Sequence, residues 1–315
     1  MESISKNPLG SNRQIFIIGN GVIAKALAVA LTVNRSKVTI LRGRAEDGDV
    51  SSEHIEVEIG DRVFAADVTI SALSHYEELK GLILLTNKSF GNSELADRLR
   101  PKVKQSPIVF LQNGLHIENC FIEMGFNELY RCVLLATSQS VTENKVRFKL
   151  VAPSPIGVIR GSEETLTGIV EQLNTDIFSF REEADIQAVI WKKVISNCVF
   201  NSICPLLETD NGIFQRDDAV LQIAKTVIGE CLAVARENGI RLTEDDVLQN
   251  VLSISKMSDG QRISTYQDIL NKRETEIETL NFAIANVARL TGKVEVPVTA
   301  LLGELTKIKS GLSRI

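Results

Sequence analysis

The sequence lacks any long apolar run, and this absence sets the first limit on the class of protein. No stretch of the 315 residues approaches the roughly 20 consecutive apolar residues that a membrane-spanning helix needs. The opening segment, Met1–Arg13, is polar and lacks the apolar region of a secretory signal peptide, so we interpret it as a loose tail. The sequence therefore predicts a cytoplasmic protein that makes no contact with a membrane.

An excess of basic residues is also missing. The chain carries 35 Lys and Arg against 40 Asp and Glu, which gives a net charge of -5. Proteins that bind nucleic acid need clustered Lys and Arg for phosphate contacts. The charge balance argues against nucleic acid as a partner, although it leaves room for a small local basic pocket.

Cysteine and histidine are few and are poorly spaced for metal binding. The 5 cysteines include no C-x-x-C pair, are odd in number and stand in apolar surroundings, which is typical of reduced core thiols. The 3 histidines lie far apart and show no metal-ligand spacing. We therefore predict neither a disulfide framework nor a metal site.

What the sequence does contain is an alternation of short apolar runs and helical segments, which changes near residue 184 to an almost entirely helical pattern. Such an order predicts an α/β protein, with an N-terminal Rossmann-type doubly wound sheet followed by an all-α C-terminal domain. We divide the chain into a tail over 1–13, a dinucleotide-binding domain over 14–183 and a helical substrate-binding domain over 184–315. We expect the two domains to meet at the active site. The elements predicted in the first domain include strands at Gln14–Ile18, Val38–Leu41, Val68–Ile70, Leu82–Leu85, Ile108–Leu111, Val133–Ala136 and Lys145–Val151, and a helix at Ser93–Leu99.

A glycine-rich turn follows the first predicted strand. Gly19-x-Gly21-x-x-Ala24 matches the dinucleotide fingerprint, in which the glycines allow a tight turn and close approach of a pyrophosphate, and the small third residue lets the helix pack on the strand. A strand before it, a helix after it and a second strand next supply the expected context. We predict that the loop Gly19, Asn20, Gly21, Val22 and Ile23 holds the cofactor at the helix N-terminus. The alternative is a glycine turn of an unrelated α/β domain.

The end of the second strand indicates which dinucleotide binds. NAD-specific sites usually place Asp or Glu there, whereas this sequence has Leu41-Arg42-Gly43-Arg44. Arg42 can form paired hydrogen bonds with a 2′-phosphate and stack on adenine, which favours NADPH. The alternative is a solvated surface arginine.

A polar stripe crosses an otherwise apolar helix in the second domain. In Trp191–Pro205, the residues Lys193, Asn197 and Asn201 are four positions apart and share one face. Asn is a poor helix former, so two of them aligned with a lysine require a reason. The functional interpretation is a lysine that protonates a ketone oxygen beside two amides that hold the substrate. The structural alternative is a hydrogen-bonded row inside the core.

A second polar cluster spans Ser264–Asn281. On one continuous helix Ser264 and Glu276 would stand ~18 Å apart at 1.5 Å per residue, too far to hold one small acid. Ser264-x-x-Gln267 and Thr275-x-x-Glu278 both fit capping boxes, so we predict two helices with a break near residues 271–274. The alternative is that Ser264 only caps a helix and Glu276 is only a surface carboxylate.

Taken together, these motifs resemble the ketopantoate reductases (2-dehydropantoate 2-reductases) over nearly the whole chain after the tail. The markers of the resemblance, in chain order, are Gly19-x-Gly21, Lys88 after an apolar strand, Asn113-Gly114, the pattern W-x-K-x-x-x-N-x-x-x-N of Trp191–Asn201, Asn211-Gly212, Gln267-Asp268 and Thr275-Glu276-Ile277.

The resemblance implies a role for each matching residue. Lys193 would be the general acid, and Glu276 would bind the substrate and orient Lys193. The residues implied to hold the small acid are Asn113, Asn197, Asn201 and Ser264. Arg42 and Lys88 would contact the phosphates of NADPH, with Asn113 near the nicotinamide. The implied reaction converts 2-dehydropantoate and NADPH to (R)-pantoate, on the route to pantothenate and coenzyme A, in a monomer or homodimer.

Four positions depart from the family pattern. They are His116, Phe282, the strand Ala136-Thr137-Ser138-Gln139 and the segment Pro297-Val298-Thr299-Ala300. A bulkier His116 or Phe282 would reshape the pocket. These departures leave open a reductase of another 2-oxo acid on the same scaffold, and an NADPH-binding sensor without turnover is a third possibility.

Overall fold

A computed structural model describes residues 14–42 and 50–315. The predicted tail, Met1–Arg13, and the pair Gly43-Arg44 lie outside the described residues. The chain divides into two compact units, one made of Met1–Gln112 with Glu118–Ile186, the other of Asn113–Ile117 with Gln187–Ile315. The sequence predicted a single boundary between residues 183 and 184. It did not indicate that Asn113–Ile117 groups with the second unit.

The first unit is built on one sheet of 11 strands. The strands are β1 (Ile15–Ile18), β2 (Val38–Arg42), β3 (Ser51–Ile59), β4 (Arg62–Ala72), β5 (Leu82–Leu85), β6 (Ile108–Phe110), β7 (Leu129–Cys132), β8 (Ala136–Thr142), β9 (Lys145–Leu150), β10 (Ser154–Arg160) and β11 (Phe180–Glu182). The described residues of this unit form four α-helices, namely α1 (Val22–Val33), α2 (Asn92–Leu99), α3 (Asn119–Glu123) and α4 (Glu163–Leu173).

The strand order is β11-β10-β7-β6-β5-β1-β2-β4-β3-β9-β8, and β1 pairs in parallel with both β2 and β5. From β1 the chain first moves to β2 on one side and later returns to β5 on the other, so the order reverses between β1 and β5. In open α/β sheets, ligands bind outside the carboxyl ends of strands at such a reversal. The doubly wound sheet predicted from the sequence is confirmed.

The sheet differs from the predicted strands where antiparallel hairpins join it. Val68–Ile70 is the end of the longer strand β4, which pairs with β3 in a hairpin. The strand predicted at Val133–Ala136 is wrong. Strand β7 ends at Cys132, one residue after Arg131, which is its last residue to pair with β6, and β8 starts at Ala136. An apolar run continues past the end of β7, so composition alone did not locate its end.

The second unit is all helical. Its helices are α5 (Ile186–Leu206), α6 (Ile213–Arg216), α7 (Asp218–Glu237), α8 (Glu244–Met257), α9 (Ser264–Leu270), α10 (Asn281–Thr291) and α11 (Pro297–Ser313). Asp217 caps α7 by accepting hydrogen bonds from the N–H groups of Ala219 and Val220, at 2.9 and 3.0 Å. Gly239 follows α7 with φ +76°, a value that favours glycine. In the described part of the chain, no helix combines the length and apolarity required to cross a membrane.

The predicted break in the Ser264–Asn281 segment is confirmed, but the predicted caps are wrong. Ser264 is the first residue of α9 rather than its cap, and the side chain of Gln267 donates to the carbonyl of Arg262 at 2.8 Å. After α9 the chain forms a short 3-10 turn at Ile277–Thr279 before α10 begins at Asn281. The capping-box spacing therefore marked the interruption correctly while misplacing the helix starts.

A buried ion pair fastens β7 to the segment that precedes α3. Arg131 Nη1 donates to Glu118 Oε2 at 2.7 Å, with 3% and 9% of the two side chains exposed. Because both side chains are almost completely buried, each charge depends on compensation from inside the protein rather than from water. Removing one member leaves a buried charge, which is far more destabilising than losing an exposed pair.

We expect Glu118→Ala to lower the free energy of unfolding by about 3–5 kcal/mol. The matched control is Glu237→Ala, which removes a pair with Lys293 at 2.8 Å whose lysine side chain is 69% exposed. That change should cost less than about 1 kcal/mol. Urea unfolding followed by circular dichroism measures both, and equal losses in the two variants would contradict the analysis.

Candidate active site

The turn after β1 brings the backbone of the fingerprint against the start of the β5 loop. Gly19 has φ +116°, and a Cβ there would stand 2.8 Å from Thr86 Oγ1 and 2.9 Å from the Asn87 nitrogen. Both conformation and space therefore require glycine at this position. Gly21 precedes α1 as its cap residue without a side-chain cap bond, so the first N–H groups of α1 remain available to an anion.

The rest of the fingerprint has the accessibility that a phosphate loop needs. Asn20 and Gly21 are exposed and Val22 and Ile23 are half-buried. Ala24, in the first turn of α1, is buried. The small Ala24 is part of the apolar cluster that joins α1 to the sheet. The backbone of the loop is thus open to solvent while its helix is firmly packed.

Three amide side chains that the sequence analysis missed lie at the carboxyl ends of β5 and β6. Asn92 and Gln112 form a reciprocal pair, with Asn92 Nδ2 donating to Gln112 Oε1 at 2.9 Å and Gln112 Nε2 donating to Asn92 Oδ1 at 2.7 Å. Gln112 Nε2 also donates to the backbone carbonyl of Asn87 at 2.9 Å. The pair is buried and fixes the main chain of Asn87 directly beside Gly19.

Asn87 itself presents an acceptor. Its Nδ2 donates to the carbonyl of Lys88 at 3.0 Å, while its Oδ1 is shielded from solvent and accepts no hydrogen bond from any residue that the structure describes. A buried acceptor without a partner is rare and calls for a donor from elsewhere. In the sequence, the sign of this site is the polar run Thr86-Asn87-Lys88 after an apolar strand. The sequence analysis selected Lys88 from this run and did not consider Asn87.

The two basic residues predicted to contact phosphates flank this loop on different strands. Arg42 is the last residue of β2, next to β1, and is half-buried, so it is not a fully solvated surface arginine. Lys88 is also half-buried and precedes a 3-10 turn at Ser89–Gly91. Arg42 ends β2 and Lys88 follows β5, and these are the two strands that flank β1 in the sheet.

In the second unit, α5 carries the predicted polar stripe. Lys193 and Asn197 are half-buried, whereas Asn201 is only 2% exposed. Trp191, on the opposite face of the helix, and Phe200 are buried as well. The stripe therefore runs from a partly accessible end at Lys193 to an enclosed end at Asn201.

Asn201 and Ser264 are in contact. Asn201 Oδ1 accepts from Ser264 Oγ at 3.5 Å and from the N–H of Thr265 at 3.4 Å. These long bonds lead from the core of α5 to the first turn of α9, where Ser264 is exposed. Asn201 therefore supports the start of α9, and Ser264 is the accessible member of the pair.

Glu276 lies beside the short segment that carries Asn113. Glu276 is 8% exposed and its carbonyl accepts from the N–H of Thr279 at 3.1 Å. The N–H of Leu115 donates to the carbonyl of Thr279 at 2.9 Å, which joins Asn113–Ile117 to the 3-10 turn. Gly114 has φ +116°, and a Cβ there would meet Thr279 Cβ at 2.5 Å, so glycine is required for this contact.

The thiols of α5 are chemically quiet. Burial raises the pKa of Cys204 to about 12, with the nearby charge of Asp210 adding to it. Burial also raises the pKa of Cys198 well above its ordinary value, and the hydrogen bond between this thiol and the sulfur of Cys231 adds to the shift. Both thiols stay protonated near neutral pH, and the polar stripe remains the reactive feature of the helix. Cys120, predicted as a core thiol, is only half-buried.

The two bulky departures occupy different surroundings. His116 is exposed and has φ +58°, so it sits in a left-handed turn of the Asn113–Ile117 segment. Phe282 lies at the start of α10 with its ring under Lys307 of α11, at 5.2 Å from the ammonium nitrogen. Its ring edge would lie 3.7 Å from a Cβ at Gly303, so Phe282 packs between two helices.

Comparison with known proteins adds relatives of known activity. The chain is 26% identical over 303 residues to 2-dehydropantoate 2-reductase of Pyrococcus abyssi, which covers 95% of this chain and 98% of the relative. Its fold is similar to that of D-mandelate dehydrogenase, solved with NADH and anilino(oxo)acetate, with a TM-score of 0.87 and 21% identity over 96% of this chain and 99% of that one. It is also similar to a dimeric ketopantoate reductase from Staphylococcus aureus, with a TM-score of 0.80 and 17% identity over 95% and 99% of the two chains.

Family models cover both units. Residues 15–157 match the family described as ketopantoate reductase PanE/ApbA, and residues 185–310 match its C-terminal counterpart, ketopantoate reductase PanE/ApbA C terminal. The first match contains the fingerprint and the Asn87 loop, and the second contains the polar stripe of α5 and Glu276. On this evidence the chain belongs to the ketopantoate reductase family, a family of oxidoreductases.

Proposed function

We propose that the chain is an NADPH-dependent reductase that converts 2-dehydropantoate to (R)-pantoate, on the route to pantothenate and coenzyme A. The observation that carries the proposal is the polar stripe of α5, where Lys193 and Asn197 are partly accessible on a helix that is largely buried over residues 190–205. The names of curated relatives such as that of Pyrococcus abyssi agree with this substrate.

The first unit fits a nicotinamide dinucleotide by its own geometry. Gly19 and Gly21 leave backbone room at the α1 N-terminus for a pyrophosphate. The shielded Asn87 Oδ1 supplies an acceptor for a cofactor hydroxyl or amide group. Arg42, at the end of β2, is the residue to pair with a 2′-phosphate, and Lys88 adds a second positive charge. The solved D-mandelate dehydrogenase holds NADH, so the choice between the two dinucleotides rests here on Arg42.

Reduction of the ketone requires a hydride at the carbonyl carbon and a proton at the carbonyl oxygen. The bound dinucleotide supplies the hydride. Lys193 carries an ammonium that can stabilise the developing alkoxide and then release its proton to that oxygen, which completes the alcohol. Lys193 is left neutral and recovers a proton from solvent.

The remaining residues of the second unit bind and orient the acid. Asn197 is one turn from Lys193 and offers an amide to the carboxylate or hydroxyl group. Ser264 offers an exposed hydroxyl, and Asn201 acts on the substrate through Ser264, because its own oxygen already supports α9. Glu276 and Asn113 belong to one hydrogen-bonded patch, so we propose that they bind the substrate hydroxyl and the nicotinamide side respectively.

A second candidate is a reductase of a different 2-oxo acid, including an aromatic one. The fold likeness to D-mandelate dehydrogenase and the departure at His116 favour testing it. Purified protein is mixed with NADPH and offered 2-dehydropantoate, phenylglyoxylate or pyruvate while absorbance at the reduced nicotinamide band is followed. Turnover of 2-dehydropantoate supports the proposal, and turnover only of another acid favours the second candidate. Cofactor binding without turnover of any acid would point to a sensor.

Lys193→Ala should lower kcat on the preferred acid by about 10²–10⁴-fold, because the general acid is lost. The matched control is Lys192→Ala, a neighbouring half-buried lysine off the polar stripe, which should keep kcat within a factor of about three. Circular dichroism checks that both variants are folded. Equal activity of the Lys193 variant and the parent protein would refute the assignment.

Arg42→Ala should weaken NADPH binding by about 10–100-fold, since a charge-assisted bond to phosphate is worth about 1.5–3 kcal/mol. Binding of NADH, which has no 2′-phosphate, should change little. Arg62→Ala, at the exposed start of β4, serves as control. Titration of each dinucleotide by its fluorescence gives the two affinities, and a parallel loss for both would show that Arg42 does not select the phosphate.

Asn87→Leu should weaken NADPH binding by about 2–10-fold, because a hydrogen bond of about 0.5–1.5 kcal/mol is removed while the side-chain volume is retained. The effect belongs to the dinucleotide alone, so it is measured by titration in the absence of any oxo acid. Asn286→Leu, on the exposed side of α10, is the control. An unchanged affinity in Asn87→Leu would mean that its shielded oxygen does not face the cofactor.

A further inference from the structure

The helix that follows the fingerprint is enclosed on all sides over two turns. Every residue of Ala24–Leu31 is buried, whereas a helix with a solvent face exposes residues at each turn. The enclosure arises because α1 packs against β1 to β4 and also against β8 and β9, the two strands at one end of the sheet. Val146 and Phe148 of β9 belong to the same apolar cluster as the helix.

One charged residue lies inside this enclosed segment. Lys25 stands in the first turn of α1, where its N–H donates to the carbonyl of Gly21 at 3.0 Å, and only 6% of the residue is exposed. Its ammonium donates to the backbone carbonyl of Glu143 at 2.5 Å and to Asn144 Oδ1 at 3.1 Å, both in the turn between β8 and β9. The fingerprint gives Lys25 no role, because the last residue that it requires is Ala24.

The charge of Lys25 is not paired with a carboxylate among residues 14–42 and 50–315. Both acceptors of its ammonium are neutral, and the side chain of Glu143, whose carbonyl is one of them, is exposed. Lysine is almost never fully buried unless its charge is paired. The exception at Lys25 therefore calls for a source of negative charge from outside the described residues, and departures of this kind concentrate at functional sites.

The position of Lys25 in the helix indicates where that negative charge belongs. The N-terminal end of a helix carries a partial positive charge, so a cation in the first turn is unfavourable and an anion is favourable. The first turn of α1 has no acidic residue, and Gly21 offers no side-chain cap. Free N–H groups, the positive end of the helix dipole and the Lys25 ammonium thus all lie in this turn. An anion bound at the loop of residues 19–23 stabilises all three.

The hairpin of β8 and β9 holds Lys25 in place relative to that loop. Ser138 Oγ donates to the carbonyl of Val22, the first residue of α1, at 3.3 Å. The carbonyl of Asn144 accepts from the N–H of Glu56 at 2.9 Å, which joins the hairpin turn to β3. These bonds fix the ammonium through neutral groups alone, so they leave its charge uncompensated.

We propose that Lys25 is a further cofactor-binding residue, whose buried ammonium is the counter-charge for the pyrophosphate of a dinucleotide held at residues 19–23. This inference rests on the proposed function of the first unit. Lys25 acts through its electric field across the first turn of α1, because its ammonium is bonded to the hairpin turn. NADPH and NADH both carry the pyrophosphate, so Lys25 strengthens the binding of both equally, whereas Arg42 acts on the 2′-phosphate of NADPH alone.

Fluorescence titration of each dinucleotide, without any oxo acid, tests the counter-charge. Lys25→Gln keeps a hydrogen-bond donor for the hairpin turn but removes the charge, so it should weaken NADPH and NADH binding by the same factor, about 3–30-fold. Lys25→Arg keeps the charge and should bind as tightly as the parent protein. The matched control is Lys37→Gln, an exposed lysine beyond the other end of α1, which should change either affinity by less than about twofold.

Asn144→Ala separates the charge of Lys25 from its hydrogen bonds, because it removes one acceptor and leaves the ammonium in place. This variant should keep the parent affinity, and added salt should weaken binding less in Lys25→Gln than in Asn144→Ala. Circular dichroism checks folding, and Lys25→Met replaces Lys25→Gln if the latter does not fold.

Equal losses in Asn144→Ala and the neutral Lys25 variant would show a purely structural role and overturn the proposal. So would an unchanged affinity in the neutral variant, or a loss confined to NADPH. In each of these cases the parent protein still binds dinucleotide, and the proposed function stands. A parent protein that binds neither dinucleotide overturns both the proposed function and the role of Lys25.

Discussion

The burial of residues 190–205 of α5, apart from the half-buried Lys192, Lys193 and Asn197, is the constraint on which the candidate chemistry depends. A lysine on a mobile loop would gain little from its neighbours, because solvent would screen it and its position would vary. On α5 the buried Trp191 and Phe200 hold the helix in place, and the half-buried Lys193 and Asn197 share that fixed frame. The poor helix propensity of asparagine is tolerated because packing, rather than propensity, decides the conformation of a buried helix.

The cofactor loop follows the same physical logic in the first unit. Gly19 can approach Thr86 and Asn87 only because it has no side chain, and this contact brings the loops after β1 and β5 together. The reciprocal pair of Asn92 and Gln112 then uses its own donors and acceptors inside the protein. What remains for a ligand is the oxygen of Asn87, held by a network that is complete without it. An acceptor fixed in this way has little freedom to lose on binding.

The parts that followed from the sequence are those written in local spacing. The fingerprint and the break after α9 both depend on residues within a few positions of one another. The parts that escaped depend on distant partners. The amide cluster joins residues 5 to 25 positions apart in the chain, and the contact of Asn201 with Ser264 spans 63. The failed strand at Val133–Ala136 has the same cause, since β7 ends one residue after Arg131, the last of its residues that pairs with β6, and not where its apolar run ends.

The roles of the site residues show the same division. The i, i+4, i+8 pattern brought Lys193, Asn197 and Asn201 to one face, but it could not distinguish a side chain that reaches a ligand from one that supports another helix. Burial makes that distinction, because Asn201 is enclosed and already bonded to the start of α9. The alternative interpretation of a structural hydrogen bond thus applies to one end of the stripe, and the functional interpretation remains a proposal for the other.

The inner face of α11 is built from small and hydroxylated residues because of the way this helix is held. A helix that packs through large apolar side chains stands well away from its neighbours, whereas Gly303 lets α11 approach the side chain of Asn281 directly. Hydrogen bonds from Asn281 to the carbonyl of Thr299 and from Thr299 to Glu230 supply the specificity that apolar packing would otherwise give. With its inner face satisfied by small and polar groups, α11 needs none of its large apolar residues for its own unit.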